Sequence, residues 1–386
     1  MKYRAFGKTG FDISALGFGC MRLKEYEKDG KWYVDQDHTD EMLRKACDLG
    51  VNYFDTAYYY CHSNSEAAIG RALKPYRDKV KISTKVPMGK EMTKPGDYRR
   101  YLEESLRRLD TDRIDFYHFW GINKAVFDEK IIGMQVYKEA IRAKEEGLIR
   151  HISFSFHDAP ENMGYIIDNG PFLESVLCQY NLLDRTNEKM IEYAAGKGLG
   201  VVVMGPVGGG RLSGSGGLSE KLTGKKVGAN YELAFKYVLS NPHVGCALSG
   251  METAAMVEQN AAAVDSGPLT ADESAEINDA MQRLKKFSDL YCTGCNYCMP
   301  CPFGVDIPRN FKLMNDYEMY SNERALKSGW NFIDEGARAT ACKKCGKCER
   351  ACPQRLPIRQ KLAEIAERMN ESGLNPPVFP PQSVKP

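Results

Sequence analysis

From residue 15 to about residue 262 the chain repeats one unit: a short apolar run, a polar link and an amphipathic stretch. The runs are SALGFG (14–19), VNYFD (51–55), VKISTKV (80–86), RIDFYHFW (113–120), IRHISFS (149–155), ESVLCQY (174–180), GVVVMG (200–205) and VGCALSG (244–250). Between them, segments such as DEMLRKACDLG, DYRRYLEESLRRL and GMQVYKEAIRAKEEG place apolar residues three and four apart, the period of a helix with one buried face. Gly50 and Gly147 follow two of these stretches, where a helix end favours glycine. Eight strand–helix units predict an α/β fold, a (β/α)8 TIM barrel of roughly 250 residues. The alternative is a doubly wound open sheet, against which stands the lack of a GxGxxG after the first strand.

Beyond the repeats the chemistry of the chain changes. Cys20, Cys47, Cys61, Cys178 and Cys246 are scattered singly, whereas the other eight of the 13 cysteines fall between 292 and 352. CTGCNYCMPCP spaces Cys292, Cys295, Cys298 and Cys301 at steps of three, and CKKCGKCERACP spaces Cys342, Cys345, Cys348 and Cys352 at three, three and four; a proline follows each quartet. Thiols crowded in this way hold metal. Zinc is one reading, but its sites usually pair cysteines across a longer spacer. The spacing resembles that of bacterial two-cluster ferredoxins, in which the cysteine before proline ligates the other cluster. That resemblance implies two [4Fe–4S] clusters, one on Cys292, Cys295, Cys298 and Cys352 and one on Cys342, Cys345, Cys348 and Cys301. The short last gap of the first quartet leaves open a scheme with one motif per cluster. The segment 307–333, rich in aromatic residues, reads as a helical packing or docking element. The expected division is a barrel over 1–287, a mainly helical ferredoxin-like domain over 288–375 and an extended proline-rich tail over 376–386.

Composition narrows the function classes. Lys and Arg number 53 against 51 Asp and Glu in 386 residues, so there is no positive field of the kind that nucleic-acid binding requires. No apolar run approaches the roughly 20 residues of a membrane span, and the first residues show no signal-peptide core. A cytoplasmic protein with reduced thiols is expected.

In a barrel of this kind chemistry collects at the C-terminal strand ends. Those ends carry Asp55, Lys85, His118 or Trp120, Ser155 and Gln179, with a tyrosine run, Tyr58 to Tyr60, after Asp55. A lysine near a phenol favours the phenolate, and a carboxylate fixes the lysine, so an acid, a phenol and a lysine make a proton donor. With FDTAYYY (54–60), ISTKV (82–86), YNLLDR (180–185), GPVGGGRL (205–212) and LSGMETAAMVEQN (248–260), the first 265 residues resemble the aldo-keto reductases. The whole chain is similar to the branch of that family fused to a ferredoxin-like end, found in anaerobes.

By that resemblance Tyr60 is the general acid, Lys85 its pKa-lowering partner and Asp55 the anchor of Lys85. Ser155 and Gln179 match positions that hold the nicotinamide carboxamide, and Tyr180 falls near the ring. Gly205, Gly208, Gly209 and Leu212 match the loop beside the pyrophosphate, and Ser249, Gly250, Gln259 and Asn260 the cofactor segment after the last strand. The family's strand-four histidine falls at Trp120, whose indole is a donor only and no like-for-like replacement for an imidazole. His118 shares the strand face of Trp120 about 6–7 Å deeper. It is either a hydrogen-bonded interior histidine or, with a bulge in the strand, a catalytic one. His157 is a further candidate, and Tyr58, Trp120 and His157 are expected in the substrate pocket.

The resemblance implies an oxidoreductase that interconverts a carbonyl and an alcohol with NAD(H) or NADP(H), its clusters exchanging electrons with a ferredoxin or a similar carrier. No basic residue in GMETAAMVEQN awaits a 2′-phosphate, which favours NADH. The alternatives are a non-redox lyase, isomerase or dehydratase with structural clusters, and an electron-transfer protein with an inactive barrel. The stretch KEYEKDGKWYVDQDHTD after the first strand is expected as a lid over a small-molecule substrate.

Overall fold

A computed structural model describes residues 1–213, 229–283, 292, 294–320 and 323–371. All eight apolar runs form strands: β1 (Leu16–Gly19), β2 (Tyr53–Asp55), β3 (Lys81–Val86), β4 (Ile114–Ile122), β5 (Ile149–Phe156), β6 (Ser175–Gln179), β7 (Gly200–Met204) and β8 (Cys246–Ser249). They pair in parallel in chain order, and β8 returns to β1 through Ala247 opposite Leu16, closing the barrel. Closure excludes the open sheet.

The pleat sorts side chains between two cores. On β4, Tyr117 and Phe119 turn outward, their rings 5.3 and 5.8 Å from that of Tyr98 on the helix Gly96–Leu109. Phe116, on the alternate positions with His118 and Trp120, turns inward. It joins Tyr53, Leu177, Val202, Cys246 and Leu248 in a separate apolar layer inside the barrel. The N-terminal hairpin Tyr3–Ala5 and Asp12–Ser14 delivers Phe6 and Ile13 to that layer. The lower barrel is thereby filled largely with apolar side chains, and the buried Asp55–Lys85 level lies above it, toward the strand ends. Left-handed glycines at Gly50 and Gly147 end the chain's turn out of the helices Gln36–Asp48 and Val136–Glu145.

The stretch after β1 is no plain loop. It forms an antiparallel hairpin, Glu25–Lys28 with Lys31–Val34, followed directly by the helix Gln36–Asp48. Trp32 on the hairpin stacks on His62 with ring centres 4.6 Å apart, and His62 Nδ1 lies 2.8 Å from Glu25. The hairpin thus leans on the segment that follows the tyrosine run.

The cysteine-rich part has its own core of Ile307, Phe311, Leu326, Trp330, Ile358, Leu362 and Met369, among others. Its aromatic stretch folds as two helices, Ile307–Tyr320 and Glu323–Asn331, which a third, Ile358–Glu371, completes. Asn310, fully buried, donates to the carbonyls of Asp306 and Ala337 and accepts from the Ala339 amide, so the turn leading to the second quartet is pinned to the first of these helices. The proposed boundary near 287 and the tail 376–386 lie outside the described residues.

Candidate active site and cysteine cavities

Strands β2 and β3 run side by side with Asp55 opposite Ser83, which brings Lys85 up beside the carboxylate. Lys85 Nζ donates to Asp55 Oδ1 at 2.5 Å and to the Thr56 carbonyl at 2.6 Å, and Ser83 Oγ donates to Asp55 Oδ2 at 2.7 Å. The side chains of Lys85 and Asp55 are 1% and 2% exposed, so the pair is screened by protein rather than by water. The ammonium stands 4.9 Å from the centre of the Tyr60 ring.

The backbone past Tyr60 is unusual. Cys61, His62 and Ser63 all take positive φ, of 52°, 50° and 69°, a left-handed run that costs non-glycine residues energy. It is held by the Cys61 thiol against the carbonyls of Cys20 and Met21, by His62 on Glu25, and by Asn64 on the Trp32 carbonyl. The hairpin after β1 therefore props the turn that follows the phenol. Burial raises the Tyr60 pKa well above its ordinary value, and the charges of Asp55, Cys20, Cys61 and Cys295 add to the effect. This differs from the expected lowering: Lys85 spends its hydrogen bonds on Asp55 and Thr56 and meets Tyr60 through the ring.

The register sets His118 opposite Lys85 on one side and Ser153 on the other. It is fully buried, and neither ring nitrogen completes a hydrogen bond, although the Phe154 backbone lies near enough to act on it. The expected hydrogen-bonded interior histidine is thus interior but unsatisfied. Burial first, and Lys85 second, push its pKa down to about 3. A bulge does occur in β4, but between Phe119 and Ile122, beyond His118, which keeps its depth. At the bulge Gly121 takes φ 65° and its amide donates to Ser155 Oγ at 2.7 Å. His157 adjoins Gly121, and burial followed by Lys85 lowers its pKa to about 4. Both imidazoles are neutral near pH 7.

Trp120 crosses Tyr60 edge to face at 5.6 Å and lies tilted against Tyr59 at 5.9 Å. Tyr58 is a correction. Its ring packs on Tyr101 at 4.9 Å under the Arg108 guanidinium at 4.0 Å, so it belongs to the helical shell, and Tyr59 faces the mouth in its place. Tyr180 is another: its hydroxyl donates to Glu188 at 2.7 Å and its ring leans on Tyr237, because alternation turns it away from the face that Gln179 presents.

Gln179 and Ser155 are buried at the inner strand ends. Gly205, at φ 65°, passes so near Gln179 that a Cβ there would stand 2.6 Å from its amide nitrogen, and the Gly205 carbonyl accepts from Asn181 at 2.8 Å. Gly208 and Gly209 also take positive φ, in the 3-10 turn Gly208–Ser213, while Leu212 is fully buried and anchors that turn. Asn260 donates to Ser249 Oγ at 3.2 Å; Gly250 and Gln259 are exposed. The glycine cradle and the inward amide and hydroxyl fit the nicotinamide end of a dinucleotide.

The eight clustered cysteines surround two cavities. Cys292, Cys295, Cys298 and Cys352 line one with Ile307, Phe311 and Leu356. Cys301, Cys342, Cys345 and Cys348 line the other with Val305, Ile307 and Leu362. Each cavity takes three thiols from one motif and one from the other. Among the described residues no three His, Cys, Asp or Glu side chains converge as a lone metal ion requires. Thiols spread around an apolar-walled cavity suit an iron–sulfur cluster better than a zinc ion, whose bonds near 2.3 Å draw its ligands together. Of the five scattered cysteines, Cys20, Cys61, Cys178 and Cys246 are buried and Cys47 is half-buried.

Residues 15–282 match the aldo/keto reductase family, and residues 291–356 match a 4Fe–4S dicluster domain. L-Galactose dehydrogenase of Arabidopsis thaliana is 31% identical over 324 residues, covering 75% of this chain and 97% of that protein. An uncharacterized oxidoreductase of Bacillus subtilis is 26% identical, over 71% of this chain and 94% of its own length. The solved holo form of an aldo-keto reductase from Bacillus halodurans superposes with a TM-score of 0.61 at 30% identity, covering 72% of this chain and 96% of that one.

Proposed function

The chain belongs to the aldo/keto reductase family and carries a 4Fe–4S dicluster domain, and from that premise we propose that it interconverts a carbonyl and an alcohol, with Tyr60 as proton donor. The observation that carries the reading is the buried Asp55–Lys85 pair set beneath the Tyr60 ring. Bound nicotinamide supplies the hydride, and Ser155, Gln179 and the Gly205–Leu212 turn are the residues that would hold it. Tyr60 gives its hydroxyl proton to the carbonyl oxygen as the carbonyl carbon is reduced. The phenolate left behind faces the Lys85 charge, which Asp55 and Thr56 keep in place. In oxidation the phenolate takes the alcohol proton back.

Trp120 walls the site, and the polarising role of an imidazole falls to His157, which is neutral and so offers one donor and one acceptor nitrogen, while His118 stays at depth below it. NADH is the preferred cofactor on this reading. The exposed groups that open the helix Ala254–Asp265 are Glu252 and Thr253, and the basic side chain at hand, Lys45, is held by Glu258 at 2.6 Å.

Bound clusters would supply one-electron transfer, and the grouping of the cysteines around two cavities supports Cys292, Cys295, Cys298 and Cys352 as ligands of one and Cys301, Cys342, Cys345 and Cys348 as ligands of the other. An external carrier is supported by the surface beside the second cavity, where Cys345 is exposed among exposed Lys343, Lys344, Lys347 and Arg350. A positive rim of this kind suits an acidic carrier such as a ferredoxin. The domains proposed are 1–287 and 288–375, with a tail over 376–386. The position of Trp120 favours one second reading, a non-redox lyase, isomerase or dehydratase.

Anaerobic assays of carbonyl reduction with NADH, for wild type and Tyr60→Phe, test the proposal. Turnover should vanish in the variant while NADH binding persists. An active Tyr60→Phe overturns the role of the phenol, and a wild type that binds no nicotinamide leaves the non-redox reading.

A further inference from the structure

The cysteine-rich domain does not hang from the barrel on a tether but rests on its mouth. Gly294 comes so close to the barrel that a Cβ added there would lie 3.7 Å from Arg22 Nη2, in the segment that follows β1. Three residues on, the Tyr297 phenol comes near the Trp120 indole and lies within electrostatic reach of Tyr60 and Lys85. Cys295, between them, is near enough for its charge to act on Tyr60. From the other side of the same cavity, Arg355 forms an ion pair with Asp158, the neighbour of His157. Leu356 packs at once on the barrel core and on the core of its own domain.

Two of the chain segments that line the first cysteine cavity, 294–298 and 352–358, are therefore ones that touch the barrel. The contacts converge on the strand ends where Tyr60, Lys85 and Trp120 stand. Asp158 also accepts from the amides of Lys124 and Ala159 and from Asn162, so the anchor for Arg355 is itself fixed to the loops after β4 and β5. Tyr297 keeps 43% of its surface exposed. A tyrosine that approaches Trp120 and stays exposed belongs to an open mouth, not to a sealed core. With Tyr59, also exposed and tilted against Trp120, it brings three aromatic side chains near the proton-donating phenol.

We propose that the active site is built from both domains: the Gly294–Met299 loop roofs the barrel mouth, and Tyr297 is a specificity-determining residue that holds the planar ring of an aromatic carbonyl substrate against Trp120 and Tyr59. The inference rests on reading Tyr60 and Lys85 as the reacting end of the mouth. It also sets the order of the cysteine cavities, with the one holding Cys295 beside the substrate and the one holding Cys345 facing outward. Aromatic walls fit a flat π-system through stacked or edge contacts, and an aliphatic carbonyl gains less from them.

The test uses the full-length protein with both clusters reconstituted, without nicotinamide, and para-trifluoromethylacetophenone as the probe. Fluorine NMR gives its dissociation constant for wild type, Tyr297→Ala and Tyr297→Phe, with iron and sulfide content checked in each. Loss of one aromatic contact should weaken binding about fivefold in Tyr297→Ala, whereas Tyr297→Phe, which keeps the ring, should stay within about twofold. In wild type alone, reduction with dithionite should broaden the fluorine signal of the bound ketone beyond that of the oxidised protein, because a paramagnetic centre then lies beside it. Failure of the wild type to bind the probe, equal affinity in Tyr297→Ala, or no added broadening each overturns the proposal. Binding and broadening need no hydride transfer, so these outcomes are separate from the loss of turnover that tests the reductase reading.

Discussion

Replacing Lys85 with methionine probes the pair on which the site depends. The side chain keeps its length, but Asp55 is left 2% exposed with one remaining hydrogen bond, from Ser83, and the Thr56 carbonyl loses its donor. Removing one partner of a buried ion pair costs about 3–5 kcal/mol, because the other charge stays desolvated and uncompensated. For a domain of this size each kcal/mol lowers the melting midpoint by roughly 2–4 °C, so Lys85→Met should melt about 10 °C below wild type. The double variant Asp55→Asn/Lys85→Met removes both charges and should regain more than half of that loss. Anaerobic thermal unfolding of the reconstituted proteins, followed by circular dichroism, reads both numbers. A single variant that melts within about 2 °C of wild type, or a double variant no better than the single one, refutes the account of a desolvated pair.

With the Tyr60 pKa raised by burial, the phenol is protonated throughout the neutral range. Carbonyl reduction should therefore vary little between about pH 6 and 9, while alcohol oxidation should rise about tenfold per pH unit, since it needs the phenolate; a bell-shaped profile for reduction contradicts this. The crossed cavities predict that Cys301→Ser abolishes the same electron paramagnetic resonance signal as Cys345→Ser, and Cys352→Ser the same one as Cys295→Ser, with iron falling from about eight to about four atoms per chain. Signals that sort by motif instead speak for one motif per cluster. Reduction by an acidic ferredoxin should slow steeply with added salt, and Lys343→Glu/Lys344→Glu should slow it about tenfold at low salt; a rate indifferent to both points to a different docking face.

The barrel was legible because all eight strands are short apolar runs, and both faces of each are buried by the architecture. Asp55, Tyr60 and Lys85 could be placed at one mouth from strand ends alone, since the parity of a strand decides which side chains turn inward. Parity was also the limit. It could not choose among three consecutive tyrosines in a turn, where left-handed residues at Cys61 to Ser63 rotate the chain and put Tyr59, not Tyr58, at the mouth. Nor could it foresee that the long segment after β1 would fold as a hairpin that props the turn, because its alternation, EYEK and KWYV, is short and largely exposed. Tyr297 carried no signal at all. Within CTGCNYCMPC it reads as a spacer between ligands, and its role arises only from how two independently cored parts of the chain meet.

That meeting gives a physical reason for the tryptophan that stands where the family keeps a histidine. An imidazole at position 120 would reach a bound carbonyl but offers little surface, whereas the indole packs on Tyr59 and Tyr60 and comes near Tyr297. A large aromatic side chain with one N–H donor at the centre of a contact is the type of residue that holds two surfaces together. Trp120→His, which restores the family pattern, should therefore loosen the docking rather than simply repair the catalytic set. The loss of the aromatic contacts corresponds to about 0.5–1.5 kcal/mol. Hydrogen–deuterium exchange of the reconstituted protein should then rise at residues 294–299 and at 355–356, while β1 to β3 exchange as in wild type. Arg355→Ala, which removes only an exposed partner of Asp158, should raise exchange at 355–356 and much less at 294–299. If Trp120→His leaves both segments as protected as before, the indole is not what seats the second domain, and its presence in the mouth answers to the substrate alone.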